Sequence, residues 1–520
     1  MEMITHQVRA WLLGPHLFSY IPICYLSFVI ARWIYRLSPL HPLAKFPAPK
    51  SLLCMSQWSE FYYNVIHHGR FVFFIEQWHK ELGPIIRIGP DEIHISDPSF
   101  YNICYGPGHK YIRDKDFYDP ILGRLNATAT IFGVPEYKHR RSIVNPLFSK
   151  SSIRKLEDVI LTHGRAFKRA VSEESKAAQA GGKGICLSRL FGCLAADIIS
   201  GYVYGSSFNF LETNRDADFF ECIAAVARFL PIASYFRYLQ APLFLLPVAV
   251  LKRLVPSTLR SLLDLEEYCG ILADKYLDRR TSGNPTEKPE HQTTIFGTIL
   301  AAETPSFKPT RDMMIGEAAT SLGAGYHTTS WTLTRAAYAA AINPTIQQTL
   351  HEELATAFPE GTSEITVSAC EKLPYLTAFV KETLRVAPGV PGRLPRTVPP
   401  EGLVCHQKFI PSGYKVSMSA HVMHQNPQIY PNPTEFNPTR WLNTTPSSEV
   451  EKNLVAFSKG SRNCLGFNLA MAELHTALAF LFRRFKISLH KDNTLTGEWV
   501  DSYVITLHGQ LMISAEEYSD

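Results

Sequence analysis

Between Phe457 and Gly466 the chain reads FSKGSRNCLG, with Cys464 set between Gly460 and Gly466 and two residues after Arg462. A cysteine just ahead of a helix can ligate a metal as thiolate, because the free N–H groups of a first helical turn stabilise its charge. Gly460 and Gly466 have no Cβ and let the backbone pass close to a flat group. Arg462 can pair with an anionic rim of such a group, and Phe457 can close the apolar side. The plain alternative is a buried structural cysteine beside a basic residue.

The elements that must hold this loop are mostly helical in pattern. After Gly466 the run FNLAMAELHTALAFLFRRF places Leu474, Leu478, Leu481, Phe482 and Phe485 at helical spacing, which predicts one broad buried face. Met313 to Ala341 reads as a long apolar helix carrying Gly323 and Gly325, and Tyr375 to Val386 as another, stopped by Pro388 and Pro391. Upstream, GPIIRIGPDEIHISDP (Gly83 to Pro98) reads as two short strands around a Gly-Pro turn. AAQAGGKG near Gly181 and TSGNPTEKPEHQTT from Thr281 read as loops, the first lacking the ending of a phosphate loop. Neither divides two cores, so one large domain is expected.

The whole chain of 520 residues is 46% hydrophobic and 19% charged, which fits a folded protein. Its net charge of +5 is too small for a nucleic-acid footprint, so no nucleic-acid partner is expected. Ten cysteines lie without a C-x-x-C pair, which speaks against a zinc ribbon or a disulfide framework. Trp11 to Ala31 carries no formal charge, and Arg32 and Arg36 follow. That pattern predicts an uncleaved anchor over 1–36 with the body on the cytosolic side, then a Pro-rich spacer over 37–50 and a globular body over 51–520. Phe229 to Pro256 is apolar and broken by prolines, which suits an interfacial segment or a core helix pair.

FSKGSRNCLG matches every specified position of F-x-x-G-x-R-x-C-x-G, and so resembles the haem-binding loop of cytochrome P450 monooxygenases. The resemblance implies a mainly α fold with small β-sheets, a single P450 domain behind an N-terminal transmembrane helix, and haem b with Cys464 as axial ligand to iron. KETLR supplies Glu382 and Arg385, and FNPTRW supplies Arg440 and Trp441, so Glu382 is expected to bridge the two arginines as a structural network. Arg396 in GRLPRTVP, with Arg393 as the alternative, and Arg141 with Tyr137 in PEYKHRRSIVNPLFSK stand where the family contacts the haem edge. GAGYHTTS places Thr328 beside the oxygen site, preceded by His327 where the family usually has an acid. His327 either relays protons or hydrogen-bonds a backbone carbonyl.

By the same resemblance the chain looks like a fungal microsomal enzyme of the endoplasmic reticulum membrane, single-pass. HPLAKFPAPK, DPSFYNICY and GVPGRLPRTVP are similar to trichodiene oxygenase-like members. They imply hydroxylation or epoxidation of a lipophilic terpenoid or other secondary-metabolite intermediate with O2. NADPH electrons would come from a separate NADPH–cytochrome reductase, since no Rossmann fingerprint is present. Lys452, Lys459, Arg483, Arg484 and Lys486 could offer it a basic face. A haem-thiolate isomerase or dehydratase that consumes no O2 is a rival class, and a non-catalytic haem-binding membrane protein a third. The sequons at Asn126 and Asn443 should stay bare on a cytosolic body.

Overall fold

The computed structural model describes residues 16–518, except 51–55, 57, 123–124, 214–218, 221–222, 224–231, 233–234, 236–245, 256, 282–293 and 361–363. Helix α1 (His16–Leu37) leads the described chain. The helices that matter for the site are α2 (Val134–Val144), α3 (Glu157–Gly181), α4 (Leu187–Tyr204), α5 (Arg311–Ala341), α6 (Pro374–Val386) and α7 (Phe467–Arg484). Sequence chemistry sets their ends. The Thr310 hydroxyl accepts from the Met313 amide at 3.2 Å and caps α5. Pro374 opens α6, and α3 closes on Gly182 in the left-handed region at φ +67°. The loop expected near Gly181 is therefore shorter, because its alanines continue the helix.

The main core lies where α3, α4, α5 and α7 pack together. Leu474, Leu478, Leu481, Phe482 and Phe485 are all buried there, as their spacing predicts, and each side chain contributes about 1.5–3 kcal/mol. Gly325 lets α5 approach α4: a Cβ there would come within 2.8 Å of Ile199 Cγ1. Its absence serves helix packing more than open space.

A five-stranded sheet forms the second layer, from β1 (Ile85–Arg87), β2 (Glu92–Ile95), β3 (Ile112–Arg113), β4 (Arg396–Thr397) and β5 (Lys415–Ser417), in the order β1-β2-β5-β4-β3. β1 and β2 pair antiparallel around the Gly-Pro turn, and every residue of β2 is buried. Later, β6 (Trp499–Ser502) and β7 (Val504–Leu507) form a hairpin that packs on α5.

The anchor expected over 1–36 and the apolar segment over 229–256 fall only partly within the described residues. Residues 1–15 and most of 229–256 lie outside the described residues. Among the described residues no helix is long and apolar enough to cross a membrane. In α1 the apolar run is diluted by Pro22, Arg32 and Arg36 and by several polar side chains, although Ile23, Leu26, Phe28, Ile30 and Ile34 are exposed. Nor is 37–50 a free spacer. Leu43 and Phe46 are buried against the sheet, and the Arg87 amide donates to the Pro47 carbonyl at 2.7 Å.

Candidate haem-thiolate site

Cys464 precedes α7 on a loop folded back on itself: its amide donates to the Phe457 carbonyl at 2.9 Å. Cys464 keeps accessible surface although protein surrounds it closely. Burial raises the thiol pKa, while the Gly466 amide and the Arg141 charge pull it down. Phe457 packs edge-on to Phe467 and closes one side. Gly460 has φ +68°, and a Cβ there would collide with the Tyr105 and Gly106 carbonyls, so a neighbouring loop demands this glycine. At Gly466 a Cβ would meet nothing within 4 Å.

Helix α2 clamps the loop from below. The Tyr137 hydroxyl donates to the Ser461 carbonyl at 2.7 Å. Arg141 donates to the Asn463 carbonyl at 3.2 Å, to its side-chain oxygen at 3.1 Å and to the Tyr137 hydroxyl at 3.3 Å. Tyr137 and Arg141 thus hold the loop, and Arg141 has little capacity left for an anion. Arg393, the alternative to Arg396, is consumed elsewhere: it pairs with Glu60, and with Glu92 at 3.2 Å.

The remaining cationic groups gather with no carboxylate paired to them among the described residues. Arg113 and Arg396 are direct register partners across β3 and β4, where like charges repel. Among the described residues, Arg396 Nε and Nη1, Arg462 Nη1 and Arg113 Nε are buried without a hydrogen-bond partner, and His109 lies beside Arg396 and Arg462. Burial, then the charges of Arg113, Arg396 and Arg141, push the Arg462 guanidinium down to about 9, against the opposing pull of Tyr137. Buried donors are ordinarily satisfied, so this cluster fits a bound dianion. Haem, with its two carboxylates and an iron for Cys464, has that chemistry. Arg113 and His109 escape sequence reading because HKYIR carries no motif; only the pairing of β3 with β4 brings them to Arg396.

Helix α5 carries Ala324 and Thr328. The Thr328 hydroxyl donates to the Ala324 carbonyl at 2.8 Å, and both lie on accessible surface. His327 points away from them. The Trp331 indole N–H donates to its Nδ1 at 3.1 Å, which leaves Nε2–H to donate to the Ile505 carbonyl at 3.1 Å. Burial pushes its pKa down to about 4. Both nitrogens of this neutral ring are committed to structure, which is the carbonyl-bonding alternative and leaves none for a relay.

Behind the site, Glu382 bridges Arg385 and Arg440. It accepts from Arg385 Nε and Nη2 at 2.9 and 2.8 Å, Arg440 Nε at 3.1 Å, the Asn437 amide at 2.8 Å and Trp441 Nε1 at 2.9 Å. The expected basic docking face is weaker than its composition. Arg484 pairs with Glu360 and Glu517, and Lys452 with Glu449. Lys459 donates to the Lys452 carbonyl, and Arg483 to that of Phe358.

The sequence profile described as Cytochrome P450 matches residues 49–504. Tryptophan 6-hydroxylase of Fusarium equiseti is 32% identical over 89% of this chain and 90% of that protein. Conidiogenone synthase of Penicillium rubens is 35% identical over 91% of this chain and 93% of its own length. A cytochrome P450 monooxygenase of Sordaria araneosa is 33% identical, with 90% and 91% covered. The solved cytochrome P450DA heme domain superposes with a TM-score of 0.72 at 17% identity, over 91% of this chain and 98% of that one. Profile, relatives and fold agree with the thiol loop and its cationic cluster, and the chain belongs to the cytochrome P450 family as one of its monooxygenases.

Proposed function

We propose that this monooxygenase hydroxylates or epoxidises a lipophilic secondary-metabolite intermediate, a terpenoid or a compound of similar size, with O2 and electrons drawn from NADPH through a separate reductase. One observation carries the reading. Cys464 keeps accessible surface two residues from Arg462, and Arg113, Arg396 and Arg462 hold buried N–H groups without a hydrogen-bond partner among the described residues, a donor set suited to haem. Bound there, haem supplies oxygen activation at an iron whose electron density the Cys464 thiolate raises. Arg113, Arg396, Arg462 and His109 would hold its carboxylates. Thr328 would hold or pass a proton at Oγ1, and His327 would position that turn by its bond to Ile505. The relatives' names include a tryptophan 6-hydroxylase and a conidiogenone synthase, which supports a small organic substrate. The oxygen-free isomerase reading leaned on His327 and gains nothing from a ring so engaged.

The reading includes membrane attachment through residues 1–36, with the body over 51–520 at the cytosolic face of the endoplasmic reticulum. The exposed apolar side chains of α1 support this part. Release of the full chain from microsomes by alkaline carbonate would refute an integral anchor.

The central test is spectroscopic. The purified full chain, reduced under carbon monoxide, should show the red-shifted Soret band of thiolate-bound haem, and Cys464→Ala should abolish it. Product formation should then require O2, NADPH and reductase together. Turnover without O2 would overturn the assignment.

A further inference from the structure

A small cavity of about 50 Å³ is bordered by Val390, Gly392 and Arg393, on the segment whose Gly389 faces Thr328. Gly389 packs against the Thr328 side chain, and its carbonyl accepts from the Ile505 amide at 3.0 Å. Arg393 follows four residues on, so the cavity lies within about 14 Å along the chain from Thr328. Its apolar wall includes Phe71, Phe117 and Val390, and its polar end is made by Glu60, Arg393 and Asp501.

The charges at that end do not balance. Arg393 is taken by Glu60 on one side and Glu92 on the other. Asp501 receives the Tyr503 amide at 3.0 Å on Oδ1. Among the described residues its Oδ2 has no hydrogen-bond partner. The backbone is fitted to this carboxylate, since a Cβ at Gly392 would collide with Oδ2, and one at Gly69 with the Asp501 carbonyl. A sheltered carboxylate with one oxygen unused needs a compensating charge more than a neutral donor.

We propose that this cavity seats a cationic group of the substrate, so that the molecules this enzyme takes combine an apolar body with one protonated or quaternary amine. The inference rests on the monooxygenase reading and narrows its substrate class. Burial pushes the Asp501 carboxyl up to about 7, against the pull of the Tyr503 amide and Arg393, and Glu60 adds to the rise. An arriving cation would draw it back down. Tyr235 and Tyr503 are the other titratable groups on the cavity wall.

The test uses the full-length holoenzyme and three probes with one apolar body: octyltrimethylammonium, octanol and octanoate. A quaternary nitrogen has no lone pair and cannot ligate iron, so calorimetric affinity reports the cavity. The wild type should bind the cation at least tenfold more tightly than either other probe. Asp501→Asn should lose about tenfold for the cation and stay within twofold for octanol. Gly392→Ala should lose the same preference, and it decides the matter if Asp501→Asn does not fold. Retained cation preference in a folded variant, or a wild type that prefers octanol or octanoate, overturns the proposal. The carbon monoxide spectrum separates the two levels: a wild type without the thiolate band overturns the monooxygenase reading on which this rests.

Discussion

Replacing Glu382 by alanine should be among the most damaging single changes to this fold outside the cysteine. The carboxylate is fully buried, and so is Arg385. Its removal strips Arg385 of its only ion pair among the described residues, since that residue otherwise donates to the carbonyls of His424, Pro433 and Glu435. It also orphans the Asn437 amide and the Trp441 indole. Breaking a buried, hydrogen-bonded pair costs about 3–5 kcal/mol, against a total stability of about 5–15 kcal/mol. With about 2.1 cal/mol/K of unfolding entropy per residue, a chain of this size shifts its unfolding temperature by about 1 °C per kcal/mol. Glu382→Ala should therefore lower it by about 3–5 °C and reduce the fraction recovered with haem. Trp441→Phe removes one donor and keeps the ring, which predicts about 1 kcal/mol and about 1 °C. Arg440→Ala should fall between, since it loses the Glu382 contact and a bond to the Pro431 carbonyl at 3.1 Å. Differential scanning fluorimetry with a parallel haem assay gives the order. Equal shifts for Glu382→Ala and Trp441→Phe, or an unchanged Glu382→Ala, would refute the claim that the carboxylate is the hub.

Arg396→Ala and Arg462→Ala should each speed haem loss to apomyoglobin about tenfold, the effect of one charge-assisted hydrogen bond; unchanged loss from both would separate the cluster from haem binding. Acid should destabilise the protein from about pH 6.5 down to about pH 4. Burial holds His327 down to about 4 and His424 down to about 3, with Arg385 adding to the latter, so the unfolded chain binds more protons in that window. Each group contributes up to about 1.4 kcal/mol per pH unit, and His327→Gln should flatten the fall in unfolding temperature over that range. Thr328→Val should raise peroxide released per NADPH consumed, read as hydrogen peroxide against product. His327→Gln should move unfolding temperature more than that ratio. Asn443 is exposed and should carry no glycan after expression in a eukaryotic host; a glycan there would invert the proposed topology. The Asn126 sequon tests nothing, because Thr128 is buried and bonded to Glu317 at 2.6 Å.

What could be read in advance was whatever a short run of chain determines by itself. The cysteine loop, the Glu382–Arg385 spacing on α6 and the buried stripe of α7 are local patterns whose physics is complete within one turn or one loop. The partners of His327 were not legible, since Ile505 lies 178 residues further on. Nothing in HKYIR separates Arg113 from a solvated arginine until β3 lies against β4. Arg393 and Arg396 look interchangeable in GRLPRTVP, yet successive strand positions face opposite sides. The odd spacing sends one to Glu60 and the other to the cluster only through the irregular bridge at Arg393. Gly460 was expected to face a cofactor; it answers to the Tyr105 and Gly106 carbonyls, neighbours that no local pattern names.

Ile505 gives its amide to the Gly389 carbonyl and its own carbonyl to His327. A single residue therefore fastens the hairpin to both the chain at Gly389 and helix α5. Insertions or deletions between Trp499 and Leu507 would shift that fastening by a whole residue and turn the wrong groups toward it. Descendants of this gene that adapt to new molecules are thus constrained to do so by exchanging side chains at fixed hairpin length, and their alignments in this stretch should be free of gaps.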